Sequence, residues 1–131
     1  MKILIDTHIL VWAMSGSESL SSRARDMLAH RGNDILFSAA SIWEIAIKFA
    51  LRRSDFNLSP ADAIAYAADM EFVELPVSAS AAARVAHLPP HHRDPFDRLL
   101  IAQAIDEDAE LLTADTQLAA YGPPVLLMTQ E

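Results

Sequence analysis

The chain has 131 residues, 52% of them hydrophobic, and a formal net charge of -8. That length and hydrophobic content suit one folded domain, residues 1–131, around one core, and exclude a disordered chain. The absence of cysteine excludes a disulfide scaffold, a thiolate metal site and cysteine catalysis, and it fits a cytoplasmic setting.

Lys2 to Ile5 opens the chain as a short apolar run, the pattern of a strand buried on both faces. Asp6 follows where that strand should end. Met1 to Asp6 is too short and ends too acidic for a signal peptide, and no apolar run approaches the length of a membrane span. Thr7 to Met14 suits a short helix, broken by Ser15-Gly16-Ser17. Leu20 to His30 reads as an amphipathic helix, with Ala24, Met27 and Leu28 inward and Gly32-Asn33 after it.

Asp34 to Ser38 is the second strand, and Ser38 or Ser41 can cap the helix that runs from there to about Arg53. That helix is apolar on most sides, and so much apolar surface suggests a protein partner. Its one polar stripe, Glu44-Lys48-Arg52, steps by four residues. The stripe reads in two ways: a solvated face with a favourable Glu-to-Lys pair, or a metal ligand at Glu44 with Lys48 and Arg52 leading away along a phosphate track. Ser59-Pro60 starts the next helix, to Met70, with proline in its favoured early position. Phe72 to Leu75 is a strand stopped by Pro76, and Ser78 to Leu88 is alanine-rich and helical.

Pro89-Pro90-His91-His92-Arg93 makes a rigid loop before the most informative stretch, His92 to Ala104. Asp94 suits a helix N-cap, Pro95 the first helical position, and Asp97 the first turn, where the helix dipole favours an anion. Taken alone, both acids could simply cap the helix that continues to about Asp108. Glu110 to Thr113 is a fourth strand with Asp115 directly after it. Asp115 to Tyr121 makes a helical turn, Gly122-Pro123-Pro124 breaks it, and Val125 to Met128 is the last strand.

Strands alternating with helices predict an α/β fold in three layers: a mainly parallel sheet of about five strands with helices on both faces. Ligands in such sheets bind beyond the carboxyl ends of the strands. Asp6 and Asp115 follow strands, while Glu44 and Asp97 lie near helix N-termini that open onto the same edge. The fold class thus gathers four scattered acids on one rim. Crowded like charges raise one another's pKa unless something neutralises them. Mg²⁺ or Mn²⁺ bound by Asp6, Glu44, Asp97 and Asp115 would do so, and would support hydrolysis of a phosphodiester. With so acidic a chain, RNA would be held through local basic residues or metal ions.

The segments Leu4 to Trp12, Ser38 to Lys48, His92 to Ala104 and Leu111 to Asp115 resemble the signature segments of PIN-domain proteins, and within them the VapC-type toxins of bacterial toxin–antitoxin pairs. The match spans almost the whole chain. The resemblance implies a metal-dependent endoribonuclease, a homodimer and inhibition by a VapB-type antitoxin. It maps the family's acidic positions onto Asp6, Glu44, Asp97 and Asp115, of which the fourth is less strictly required.

Other residues carry weaker signals. Arg93 suits RNA phosphates, and Arg98 suits a structural pairing with the neighbouring acids. His8 suits either substrate or a local hydrogen bond, and Thr7 and Thr113 either metal-bound water or strand closure. Adjacent His91 and His92 lack the further ligands and spacing of a zinc site. Trp12 and Trp43 read as core or dimer contacts, and nothing in the sequence supports base stacking by either. A phosphoacceptor receiver would need paired acids after the first strand and a lysine after the last. A haloacid-dehalogenase-type phosphatase would need Asp where His8 stands. The stronger rival is a PIN-like module that binds without cleaving, and the presence of all four acids argues against it.

Overall fold

A computed structural model describes residues 1–51 and 57–129. Strands Lys2–Ile5 (β1), Asp34–Ser38 (β2), Val73–Leu75 (β3), Glu110–Thr113 (β4) and Val125–Leu127 (β5) form one sheet in the order β3-β2-β1-β4-β5. Every pairing is parallel. The helices are Thr7–Ser15 (α1), Ser22–Ala29 (α2), Ala39–Ala50 (α3), Pro60–Asp69 (α4), Ala79–Arg84 (α5) and Pro95–Glu107 (α6). Among the described residues, no helix is long and apolar enough to cross a membrane.

Alternation along the strands sends side chains to opposite faces. Ile3, Ile5, Ile35, Phe37 and Leu112 pack with Ile9, Leu10, Ala24, Ile45, Ala63 and Ala67 on one face. Leu4, Leu36 and Leu111 pack with Leu100, Ile101 and Ala104 of α6 on the other. The central strands are therefore apolar at every position from Ile3 to Ile5, as a doubly covered strand must be.

Local chemistry sets the helix ends. Asp6, Ser21, Ser38, Ser59, Ser78 and Asp94 each accept a backbone N–H in the first turn of the helix that follows. Gly16, at φ 67°, closes α1 in the left-handed conformation that costs glycine nothing. Between Pro95 and Asp108, which takes φ 53° as the cap, α6 follows the expected span. The alanine-rich stretch is shorter than expected: α5 ends at Arg84 and Val85–His87 tightens into a 3₁₀ turn ahead of the Pro89-Pro90 pair. Phe72 is not part of β3, because its N–H closes α4 on the Ala67 carbonyl.

Ser38 ties the layers together at the end of β2. Its buried hydroxyl accepts from Ala40 N–H and donates to Gln103 Oε1 at 2.6 Å. Gln103 Nε2 donates in turn to the Pro76 carbonyl at 3.3 Å. This network fixes the N-terminus of α3 against α6, the two helices that carry Glu44 and Asp97.

Candidate active site

Strand order reverses direction at β1, between β2 on one side and β4 on the other. That switch point opens a crevice at the carboxyl ends of β1 and β4. Asp6 stands at the first of these ends and Asp115 just past the second. The backbone N–H of Asp6 donates to the Leu112 carbonyl at 3.1 Å, which stitches the two ends together.

Asp6 is buried, with both carboxylate oxygens engaged. Oδ1 accepts from Ile9 N–H at 2.8 Å, and Oδ2 accepts from the Thr113 hydroxyl at 2.5 Å. Burial pushes its pKa up, against the pull of the Thr113 and Ile9 hydrogen bonds and of His8, and the charge of Asp115 adds to the rise. Thr113 therefore holds a carboxylate directly. Thr7 instead donates to Ser41 at 2.9 Å and joins α1 to α3.

Asp97 occupies the first turn of α6, where Asp94 Oδ1 accepts from both Phe96 N–H and Asp97 N–H. Its carboxylate lies 3.0 Å from His92 Nε2. The same nitrogen is 4.0 Å from Asp115 Oδ2. Burial first, then the charges of Asp94 and Asp6, push the Asp97 pKa up to about 6, with His92 pulling it back. One ligand atom each from His92, Asp97 and Asp115 falls within 4.8 Å of the others. Among the described residues, Asp6 and Glu44 do not join that tight set. Asp6 reaches it electrostatically, through its effect on Asp97 and that of Asp115 on Asp6.

Glu44 stands outside that set, and its link to the set runs through neighbouring residues. It lies one turn after Ser41 on the same face of α3, and Ser41 bonds to Thr7 beside Asp6. The rings of Trp43 and Phe96, the residues before Glu44 and Asp97, meet edge to face at 5.2 Å. Glu44 is buried, not on a solvated stripe. Its Oε2 lies 3.2 Å from Lys48 Nζ, while Oε1 is buried with no hydrogen-bond partner. An unpaired buried carboxylate oxygen is costly unless a cation or water meets it. Arg93 is exposed and follows His92 in sequence, and Arg52 lies outside the described residues.

His92 is the residue that the sequence reading passed over. The pair does not form a site of its own: the His91 ring packs edge-on against Tyr121 at 5.0 Å, and only His92 turns toward the acids. Arg98 makes that possible, though not by pairing with neighbouring acids. Its guanidinium donates to the carbonyls of Val85 at 3.0 Å and Pro89 at 2.9 Å, and to the Tyr121 hydroxyl at 3.0 Å. That hydroxyl also accepts the His92 N–H at 3.1 Å. Hence Arg98 and Tyr121 pin the loop at the height where His92 meets Asp97.

The clustered groups are the carboxylates of Asp97 and Asp115 and the His92 imidazole, where like charges raise the Asp97 pKa. A hard divalent cation such as Mg²⁺ or Mn²⁺ fits this chemistry.

The PIN domain model matches residues 3–122. A search of curated protein sequences gives no match. Among solved structures, the chain is similar to the VapBC2 complex of Rickettsia felis bound to a promoter DNA fragment, with TM-score 0.73, 18% identity and 98% of each chain covered. It is also similar to a toxin–antitoxin complex from Klebsiella pneumoniae, with TM-score 0.64, 22% identity and 95% of each chain covered. The sarcin–ricin-loop-cleaving toxin VapC20 of Mycobacterium tuberculosis gives TM-score 0.64 and 16% identity, over 92% of this chain and 95% of that one.

Proposed function

The chain belongs to the PIN-domain family, and from that premise we propose that it is a metal-dependent endoribonuclease, the toxin of a VapC-type toxin–antitoxin pair. The observation that carries this reading is the cluster of His92, Asp97 and Asp115 beside Asp6, with the Asp97 pKa pushed up to about 6. Carboxylates held at such a site favour binding a cation over remaining as bare neighbouring charges. The kinship in fold with VapBC complexes and with an RNA-cleaving toxin supports the choice of substrate and partner.

Mg²⁺ or Mn²⁺ held by Asp6, Asp97 and Asp115, with Glu44 completing the set, would supply Lewis acidity toward a phosphoryl oxygen and activate water. The chain's own residues do the positioning. Thr113 and the Ile9 N–H fix the Asp6 carboxylate. His92 orients Asp97, and Arg98 with Tyr121 orients His92. Arg93, and Lys48 alongside its pairing with Glu44, offer positive charge to RNA phosphates, and Arg52 extends the Lys48 stripe in sequence.

A protein partner fits the outer face of α3. Trp43 is 62% exposed, Ile47 39% and Leu51 63%, at successive four-residue steps. We assign this apolar stripe to contact with a second protein chain, in a homodimer or with a VapB-type antitoxin.

Expression in bacteria tests the toxin role. Wild-type protein should arrest growth and Asp97→Asn should not; equal growth of the two strains would remove it.

A further inference from the structure

A second feature borders the acidic cluster and shares Asp115 with it. His8, Trp12, Ala114 and Asp115 line an open recess of about 180 Å³. His8 and Trp12 lie four residues apart on one face of α1. Their rings are 5.8 Å apart with planes tilted by 43°. The Trp12 indole is half-buried and packs on the core that includes Ile3, Ile5 and Leu112, so one side is anchored while the other faces outward. The exposed His8 flanks the indole along the same edge of the recess, and Ala114 presents only a methyl group to the open space beside them. Asp115 links the recess to the site, since its Oδ2 lies 4.0 Å from His92 Nε2.

The lining selects its occupant. Among the described residues, no lysine or arginine lines the recess and one carboxylate does, so a phosphate is disfavoured. Its volume is below the roughly 300–1,000 Å³ of a site for a whole small molecule, so it suits one group of a larger ligand. Two rings and a carboxylate acceptor match a flat aromatic group that carries N–H donors. Unpaired bases stack on such rings whatever their sequence.

We propose that this recess seats one unpaired nucleobase of single-stranded RNA, next to the phosphodiester presented to the acidic cluster. Trp12 is the stacking floor and His8 flanks it; both are positioning residues. The inference rests on the nuclease reading above, and it adds where the strand lies: over the His8–Trp12 face of α1, beside Ala114 and Asp115 that follow β4.

The test separates the two claims. Trp43→Phe leaves Trp12 as the sole tryptophan, because the chain has two. Asp97→Asn in the same chain suppresses turnover. This protein is titrated with end-labelled single-stranded RNA in Mg²⁺, reading label anisotropy and Trp12 emission together. Trp12 emission should change saturably, with the same midpoint as the anisotropy. In parallel, the wild type is given RNAs that each carry one abasic nucleotide near the cleaved bond. One position should lower kcat/KM about tenfold, and His8→Ala should shrink that penalty. RNA that binds by anisotropy with Trp12 emission unchanged, or abasic substrates all cleaved alike, would overturn the base seat and leave the nuclease reading standing. RNA that is neither bound nor cleaved by the wild type would overturn both.

Discussion

His92 Nε2 stands 3.0 Å from a carboxylate oxygen of Asp97 and 4.0 Å from one of Asp115, a single imidazole between two acids that come from different elements. Removing the ring should loosen the cluster without disturbing the core, since His92 sits on a loop. We expect His92→Ala to weaken Mn²⁺ binding roughly 10- to 100-fold, the range for partners that orient metal ligands. Calorimetric titration checks this, and unchanged affinity would mean that the imidazole plays no part in the site.

The raised pKa of Asp97 makes a statement about stability. The folded state holds the proton more tightly than the unfolded chain, so ionising Asp97 destabilises the fold. For metal-free protein, its contribution is favourable at low pH and is lost as pH rises from the ordinary 3.8 through about 6. Two pKa units are worth ~3 kcal/mol, which solvent at this half-open site reduces to about 1–2 kcal/mol. In chelator at pH 7.5, Asp97→Asn should therefore unfold at a higher denaturant concentration than the wild type, a gain that should vanish near pH 4 (both pH values are roughly chosen to bracket the titration).

Ser38 and Gln103 form the buried link between the start of α3 and the middle of α6. Ser38→Ala removes the cap of α3 and leaves Gln103 Oε1 without its donor. The expected loss is about 1–3 kcal/mol, read from chemical denaturation. A loss under about 0.5 kcal/mol would mean that water replaces the hydroxyl freely.

The exposed stripe Trp43, Ile47 and Leu51 predicts a separation of effects. Ile47→Asp should leave the monomer's stability within about 0.5 kcal/mol, because the side chain already faces solvent. It should nonetheless reduce self-association or antitoxin binding in light scattering and co-purification. If both associations persist undiminished, the stripe is not the contact face.

Much of this was legible from order and spacing. Short apolar runs marked the doubly covered strands, and Asp94-Pro95 marked the start of α6 through the chemistry of a helix N-terminus. Parallel sheet logic then put Asp6 and Asp115 at neighbouring strand ends. One feature was left open and two escaped, because all three depend on side-chain direction across elements. The Glu44 stripe read equally as a solvated face or as carrying a metal ligand, and the structure buries Glu44 while leaving Trp43 outside. Arg98 looked like a partner for nearby acids, yet it satisfies the carbonyls of its preceding loop. His92 looked unremarkable beside His91, and only the Arg98–Tyr121 anchor, 23 residues apart in sequence, aims it at Asp97.

Incubating purified protein with structured RNA, in Mg²⁺ or Mn²⁺ and again in chelator, tests the central claim most directly. Cleavage should require the metal and should disappear in both Asp6→Ala and Asp97→Asn. Cleavage that survives the chelator, or that proceeds unchanged in Asp6→Ala, would contradict it.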